Sequence, residues 1–341
     1  MACLFGHKWK TGKCAKCGVT FASVADSCIQ KNNPKKLYEM LDFAAKQDTY
    51  SIISSWEPLA LRLFLEKNTE AFEDSLEILY EKGEKNTYAF LLGRTHSPKA
   101  AAFLTEKLNA TRLGNFFKGH GVAMHDLAAP ASYDTVHKQC EAYSLDNAGP
   151  FYYALGAYRK AEDVDRIAGY IRRFAAIGKH SWGFSDDLRF AVAGLAEIGG
   201  QAAFDALMDV ESSLRSNKDS KTDLYDHRAV VLYGLYLISR GNGQMTDQLI
   251  DVLTQDVGQD VCNSFHQYIL GQIRGCESRV VPYTLGRLQA LMAGDCNRYR
   301  GTDCEAIYCL YVLGRNGWTE FASVKPQFEA WLMQEDRFML T

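Results

Sequence analysis

The stretch from Asp187 to Leu214 constrains the fold of this chain more than any other part of the sequence. Apolar residues recur there at helical spacing, Gly199 and Gly200 interrupt the pattern, and a second apolar series begins at Phe204. The pattern predicts two helices joined by a tight turn. Because a hairpin this short cannot bury its own apolar faces, it needs similar hairpins on either side.

Similar pairs of apolar helical segments, each interrupted by Gly or Pro, follow one another between residues 88 and 332. They predict about seven hairpins with a mean period of about 37 residues, which is within the range of two-helix repeats. Asn33-Pro34 predicts the start of an earlier helix, and Thr302-x-x-Glu305 has the form of a capping box. We therefore expect an all-α fold, with an α-solenoid of about eight helical hairpins over residues 31–341.

The segment from Ala191 to Leu207 has small residues, a Leu, an Ile-Gly break and then Ala-x3-Leu. It resembles the HEAT-like repeats, which tolerate irregular lengths, whereas the consensus residues of tetratricopeptide and ankyrin repeats are absent. The resemblance implies an α-solenoid and does not select a function. HEAT-like arrays also resemble bilin-lyase-type enzymes and alkylpurine glycosylases, but no residue of this chain selects either activity.

The first 30 residues predict a small metal-stabilised module. Cys14 and Cys17 form a Cys-x2-Cys pair followed by Gly18, which suits a backbone position with positive φ, and Cys3 and His7 would complete the set. Three cysteines and one histidine close a tetrahedral structural zinc site, so zinc would act as a folding element and not as a catalyst. Cys28 is an alternative to His7 as the fourth ligand.

The opening CLFGHKWKTGKCAKCG is similar to the zinc-ribbon-like stubs, of the pattern C-x-F-G-H-K-W followed by C-x2-C-G, found at the N-termini of mostly uncharacterised bacterial proteins. The resemblance covers about the first 20 residues and implies no activity. Residues 1–36 hold seven lysines and one acid, so the rest of the chain is acidic within a total formal charge of −3. A basic stub could bind nucleic acid, but the acidic remainder disfavours that function and favours a basic protein partner.

Motifs for catalysis do not support an enzyme. The sequence has no phosphate-binding Gly-Lys-Ser/Thr loop, no Gly-x-Ser-x-Gly elbow and no His-Glu-x-x-His pair. His120 and His125 are five residues apart, which places them on different helix faces, so a metal site there is disfavoured. No apolar run reaches the length of a membrane span, and no secretion signal precedes His7, so we expect a cytoplasmic protein.

The functional prediction therefore depends on surface residues. The sequence has 18 tyrosines, and several lie on the first helices of hairpins: Tyr152, Tyr153, Tyr225, Tyr233, Tyr268, Tyr308 and Tyr311. Tyrosine makes good contact area, although most aromatic residues at helical spacing are expected to be interior. His180 and Trp182, in a Gly-flanked loop, together with His227 and Arg228, are predicted to form part of a binding groove. The predicted function is a non-catalytic scaffold for a protein or peptide partner.

Overall fold

The computed structural model describes most of the chain, in segments separated by gaps. The described residues are 9–10, 13–14, 17–33, 35–37, 39, 73, 76–77, 80–81, 85–110, 118–143, 147–176, 185–216, 223–255, 263–293 and 302–332. They are helical except for one small β-hairpin and the connecting turns, which confirms the predicted all-α class. The chain divides into two compact units, Met1–Asp163 (unit 1) and Val164–Thr341 (unit 2), whereas a separate module over residues 1–30 stays a prediction.

The N-terminal segment contains the β-hairpin and one helix. Strands β1 (Trp9–Lys10) and β2 (Lys13–Cys14) pair antiparallel, with Trp9 opposite Cys14. Helix α1 (Phe21–Gln30) begins at the N-cap Thr20, whose side chain accepts a hydrogen bond from the Ser23 amide at 3.2 Å. This bond satisfies one of the amide groups that the first turn of a helix leaves without a backbone partner.

In unit 1, the structure describes five further α-helices from end to end. They are α2 (Lys85–Gly93), α3 (Pro98–Ala110), α4 (Lys118–Leu127), α5 (Tyr133–Ala142) and α6 (Gly149–Gly156). Helix α4 packs between α2 and α6. Glycine permits these close approaches, because a Cβ at Gly121 would lie within 2.6 Å of the Pro150 carbonyl oxygen.

Unit 2 contains nine described helices in hairpin order. They are α7 (Val164–Ala175), α8 (Ser185–Ile198), α9 (Gly200–Ser216), α10 (Asp223–Ser239), α11 (Gly243–Thr254), α12 (Asn263–Leu270), α13 (Glu277–Ala293), α14 (Thr302–Arg315) and α15 (Phe321–Leu332). The first helices of successive hairpins pack in sequence, α8 against α10, α10 against α12 and α12 against α14. The second helices α9, α11 and α13 pack against the first helices that follow them.

The turns of unit 2 agree with the signals in the sequence. Gly199 and Gly200 join α8 to α9 with φ angles of +67° and +78°, which glycine adopts without steric cost. Asn242 caps α11, since its side chain accepts a hydrogen bond from the Met245 amide at 3.1 Å. The structure differs from the capping box expected at Thr302, in which Glu305 would bond the start of its own helix. Both carboxylate oxygens of Glu305 instead accept hydrogen bonds from Arg287, from Nε at 2.5 Å and from Nη2 at 3.1 Å.

The cores of both units are built from aliphatic side chains and alanine, with Tyr80, Tyr88, Phe151, Tyr170, Phe174 and Phe204 among the largest fully buried side chains. At the end of unit 2, Leu288, Leu291, Cys309, Leu313 and Phe328 join α13, α14 and α15 in one apolar cluster. Within the described part of the chain, no helix combines the length and the apolar character needed to cross a bilayer.

Candidate functional site

Three helices of unit 2 carry the same spacing of aromatic residues. In α10, α12 and α14, a second ring follows the first after three residues. A side chain with nitrogen donors follows the first ring after seven, at the last residue of α14 and just beyond the last residues of α10 and α12. Residues at i, i+3 and i+7 lie on one face of a helix. The three sets are Tyr233, Tyr236 and Arg240; Phe265, Tyr268 and Gln272; and Tyr308, Tyr311 and Arg315. We call the six rings of these sets the aromatic face.

The rings of the aromatic face contact one another across the three helices. Tyr236 and Tyr233 have their centroids 5.9 Å apart, Tyr233 and Phe265 6.4 Å, Phe265 and Tyr268 5.8 Å, and Tyr268 and Tyr308 6.1 Å. These distances lie in the range of favourable aromatic pairs, and the Tyr268–Tyr308 pair is edge-to-face. The rings therefore form a connected strip that spans three successive hairpins.

The strip is open to solvent. Tyr233, Tyr308 and Tyr311 are 39, 37 and 37% exposed, and Ile307 beside them is 57% exposed. Five large hydrophobic residues are exposed in the described part of the chain. Four of them are these side chains, and the fifth is Val19. An exposed hydrophobic patch this concentrated is typical of an interaction site.

Gly271 and Gln272 fix the position of Tyr311. A Cβ at Gly271 would lie 2.7 Å from Cε1 of Tyr311, so the ring rests against the backbone of the turn that follows α12. Gln272 donates from Nε2 to the Tyr311 hydroxyl at 2.9 Å. The Tyr311 ring is therefore held in one position by its neighbours.

Arginines border the aromatic face near the C-terminal ends of the helices. Arg240 and Arg315 are exposed, and the Arg315 guanidinium lies 5.8 Å from the centroid of the Tyr311 ring, a cation–π contact. Arg274 differs from both, because its Nη1 donates to the carbonyls of Gly271 and Ile273 at 3.0 and 3.1 Å. It also lies near Glu277, whose pKa is lowered first by backbone hydrogen bonds and then by Arg274.

A second polar cluster lies in the interior of unit 2. Arg228 on α10 donates from Nε to Oε1 of Glu211 on α9 at 2.8 Å, and Arg215 Nε lies 3.7 Å from the other oxygen of Glu211. His227 packs edge-to-face against Phe174 of α7. His227 and Arg228 are 2 and 3% exposed, so a folded partner cannot touch them without displacing their neighbours. This burial argues against the prediction that His227 and Arg228 line a binding groove.

His266 of α12 belongs to the same interior. It is 1% exposed, and its Nε2 has no hydrogen-bond partner among the described residues. Burial, with a smaller contribution from Arg228, lowers its pKa to about 3, so its ring is neutral near pH 7. On the next first helix, Glu305 pairs with Arg287, as described above.

Buried polar residues recur at a regular interval in unit 2. Asp187, His227, His266 and Glu305 are 40, 39 and 39 residues apart, each lies in the first turns of a first helix, and each is at most 4% exposed. This interval is more regular than the period of about 37 residues that the apolar pattern predicts.

In unit 1, His120 and His125 contact different neighbours. His120 is buried, and its Nε2 lies 2.9 Å from the Tyr80 hydroxyl, whereas the His125 ring stacks on Tyr153. Burial lowers the pKa of His120 to about 4 and raises that of Tyr80 to about 12. Among the described residues, no group of His, Cys, Asp and Glu side chains is arranged to hold a metal ion.

The predicted zinc ligands fall largely outside the described residues. Cys3 and His7 lie beyond them, Cys14 is the last residue of β2, and the half-exposed Cys17 lies in the turn that follows. Gly18 has a φ angle of +72°, as its position after Cys17 predicts. Cys28 is buried in α1, and burial raises the pKa of its thiol, which does not favour the thiolate that zinc binds. His180 and Trp182 also lie outside the described residues.

Comparison with known proteins identifies no relative of this chain: no family model, curated protein or solved structure matches it. The resemblances to HEAT-like repeats and to zinc-ribbon-like stubs therefore stay predictions. Function has to be argued from the side chains of the chain itself.

Sequence reasoning named four of the six rings of the aromatic face, namely Tyr233, Tyr268, Tyr308 and Tyr311. It missed the rings Tyr236 and Phe265 and the bordering Arg240 and Arg315. The signal was present, because the spacing aromatic-x2-Tyr-x3-Arg occurs in both α10 and α14. Spacing alone places these residues on one helix face, but it does not say whether that face is covered.

Proposed function

We propose that this chain is a non-catalytic scaffold that binds a protein or peptide partner on the aromatic face of unit 2. The observation that supports the proposal is the strip of contacting rings from three successive helices, with Tyr233, Tyr308 and Tyr311 each more than a third exposed. Tyrosine is enriched among the residues that dominate binding energy, since it buries a large ring and keeps a hydroxyl for a hydrogen bond.

The rings of the strip are held in fixed positions, which supports the same function. Each of the six rings contacts a neighbouring ring, Gly271 or Gln272, so little side-chain entropy remains to be lost when a ligand binds. Aliphatic side chains of a partner would fit between tilted rings, and its backbone carbonyls would accept hydrogen bonds from tyrosine hydroxyls.

The architecture that carries this face is proposed to be a HEAT-like α-solenoid. The order of packing of the first helices and the interval of 39 or 40 residues between their buried polar residues support a repeat. The absence of a membrane-spanning helix in the described residues is compatible with the predicted cytoplasmic location.

The N-terminal segment is proposed to bind one structural zinc ion through Cys3, His7, Cys14 and Cys17. The β-hairpin ending at Cys14, the turn at Cys17 and the left-handed Gly18 fit the geometry of a Cys-x2-Cys loop. When bound, zinc would cross-link the two limbs of a segment too short to have a core of its own.

The binding proposal is tested by selecting peptides on the full-length protein. A random library of about 12 residues suffices, because an extended chain of that length crosses three packed helices. Enriched peptides are synthesised, and their Kd is measured by fluorescence anisotropy. We expect the double variant Tyr233→Ala/Tyr308→Ala to weaken binding at least about tenfold, the usual effect of removing tyrosine hot spots.

The matched control is Tyr283→Ala, which removes a half-buried tyrosine of α13 that is not part of the aromatic face. This variant should bind the selected peptides like the unaltered protein. Equal binding by the unaltered protein and by Tyr233→Ala/Tyr308→Ala, with both shown to be folded by circular dichroism, would contradict the proposal.

A further inference from the structure

The arginines at the border of the aromatic face indicate the charge of its ligand. Arg315 is the last residue of α14, and its guanidinium lies 5.8 Å from the centroid of the Tyr311 ring. Arg240 directly follows the last residue of α10, seven positions after Tyr233, which is the spacing of residues on one helix face. Both are exposed, and neither has an ion pair with an acidic residue in the described part of the chain. These two guanidiniums are therefore available beside the strip.

The third arginine of this border is held by contacts within the chain. Arg274 donates to two backbone carbonyls and lies near the Glu277 carboxylate. Gln272, which takes the corresponding place in the α12 set, donates to the Tyr311 hydroxyl. The border thus has a guanidinium without an acidic partner at each end, beside α10 and at the end of α14, whereas Arg274 and Gln272 between them already donate to groups of the chain itself.

We propose that the aromatic face binds an extended acidic peptide, whose apolar side chains lie on the rings and whose carboxylates pair with Arg240 and Arg315. This inference rests on the proposed scaffold function and names its ligand class. It replaces the basic partner that the net charge of the chain suggests, because charges beside the contact act more strongly than the screened charge of the whole molecule.

Helix packing sets the spacing of the two carboxylates. Helices α10, α12 and α14 pack in succession, and packed helices lie about 8–10 Å apart, so Arg240 and Arg315 are separated by roughly 16–20 Å across the strip. An extended chain advances about 3.3 Å per residue. The ligand should therefore carry its acidic residues about five or six positions apart, with apolar residues between them.

Single-stranded nucleic acid is the competing ligand, since it also uses aromatic rings and arginines. It requires a groove that neutralises successive phosphates and ring faces free for base stacking. Among the described residues, two arginines without an acidic partner lie along the strip, and the rings contact one another at 5.8 to 6.4 Å. The acidic peptide is therefore the better match.

The test uses three peptide libraries on the full-length protein. All three randomise apolar residues between two fixed positions that are about five residues apart; the fixed residues are Asp in the first library, Asn in the second and Lys in the third. We expect the Asp library to be enriched most strongly. Its best peptides should bind at least tenfold more weakly to Arg240→Glu/Arg315→Glu, and that variant should prefer the Lys library. Arg189→Glu, an exposed arginine of α8, is the control.

The outcomes separate this inference from the proposed function. Equal or greater enrichment of the Asn or Lys library, with binding still lost in Tyr233→Ala/Tyr308→Ala, would overturn the acidic ligand and leave the scaffold intact. No enrichment of any library, or binding that is unaffected by the tyrosine variant, would overturn both. Binding of a fluorescent oligo-dT that depends on the same tyrosines and arginines would replace the peptide with nucleic acid.

Discussion

Arg228 donates from Nε to Oε1 of Glu211 at 2.8 Å, and the two side chains are only 4 and 1% exposed. Both charges have lost most of their hydration, so each depends on the other. We expect Arg228→Met to lower the free energy of unfolding by about 3–5 kcal/mol, because it leaves the Glu211 carboxylate buried with only the more distant Arg215. Urea unfolding followed by circular dichroism measures the change.

The double variant Glu211→Leu/Arg228→Met is the control for this prediction. Replacing both charges with apolar groups of similar size removes the unpaired carboxylate, so it should be clearly more stable than Arg228→Met alone. A double variant that is as unstable as the two single variants combined would show that the ion pair is not the source of the effect.

Stability should fall between pH 7 and pH 5, because both units contain a buried neutral histidine. The folded-state pKa is lowered to about 4 for His120 and about 3 for His266, mainly by burial, against an ordinary value of 6.5. In this pH window the unfolded chain binds more protons than the folded chain, so the free energy of unfolding decreases as the pH falls. Each histidine should contribute about 2 kcal/mol of this loss by pH 5.

Denaturant unfolding of His120→Gln at the two pH values measures the contribution of that histidine. Glutamine can still bond the Tyr80 hydroxyl but does not titrate, so the difference between pH 7 and pH 5 should shrink. His96→Gln, which changes an exposed histidine, should leave the difference as it is. An unchanged pH dependence in His120→Gln would contradict the prediction.

Two glycines in helices should respond oppositely to alanine. A Cβ at Gly121 of α4 would collide with backbone atoms of Pro150, so Gly121→Ala should cost about 1–3 kcal/mol. Gly286 of α13 has open space around it, so Gly286→Ala should raise stability by about 0.5–1 kcal/mol by restricting the unfolded chain. Thermal unfolding of the two variants checks both signs, and a loss of stability in Gly286→Ala would be the contrary result.

Zinc content tests the N-terminal proposal. Elemental analysis of the full-length protein should show about one zinc per chain, and Cys14→Ser or Cys17→Ser should remove it, because each change deletes a thiolate ligand. Cys276→Ser, which changes a half-exposed thiol of unit 2, should keep the metal. Zinc retained by both N-terminal variants would refute the assignment.

Helix positions were predictable from the sequence because local signals determine them. The break at Gly199-Gly200 between α8 and α9 lies where the apolar spacing and the two glycines place it. Pairing between helices was not predictable in the same way. Glu211 lies 17 residues before Arg228 on another helix, and apolar periodicity carries no information about such a partner.

The candidate site shows the same limit. His227 and Arg228 were predicted to form part of a groove together with His180 and Trp182, but their side chains contact Phe174 and Glu211 in the interior of unit 2. The tyrosines were expected to be mostly interior, and Tyr152 is buried, but Tyr233 and Tyr308 face solvent. Which face of a helix is covered depends on its neighbours, and those are set by tertiary packing.

The contacts between rings also have a mechanical consequence for unit 2. Arrays of paired helices deform elastically, since each hairpin touches only its neighbours. Tyr233 contacts Phe265, and Tyr268 contacts Tyr308. Bending that separates α10, α12 and α14 on the side of the aromatic face would pull these rings apart, and bending in the opposite sense would press them together. In the proposed solenoid, these ring contacts would therefore oppose bending in either direction, and a ligand bound across them would stiffen it further.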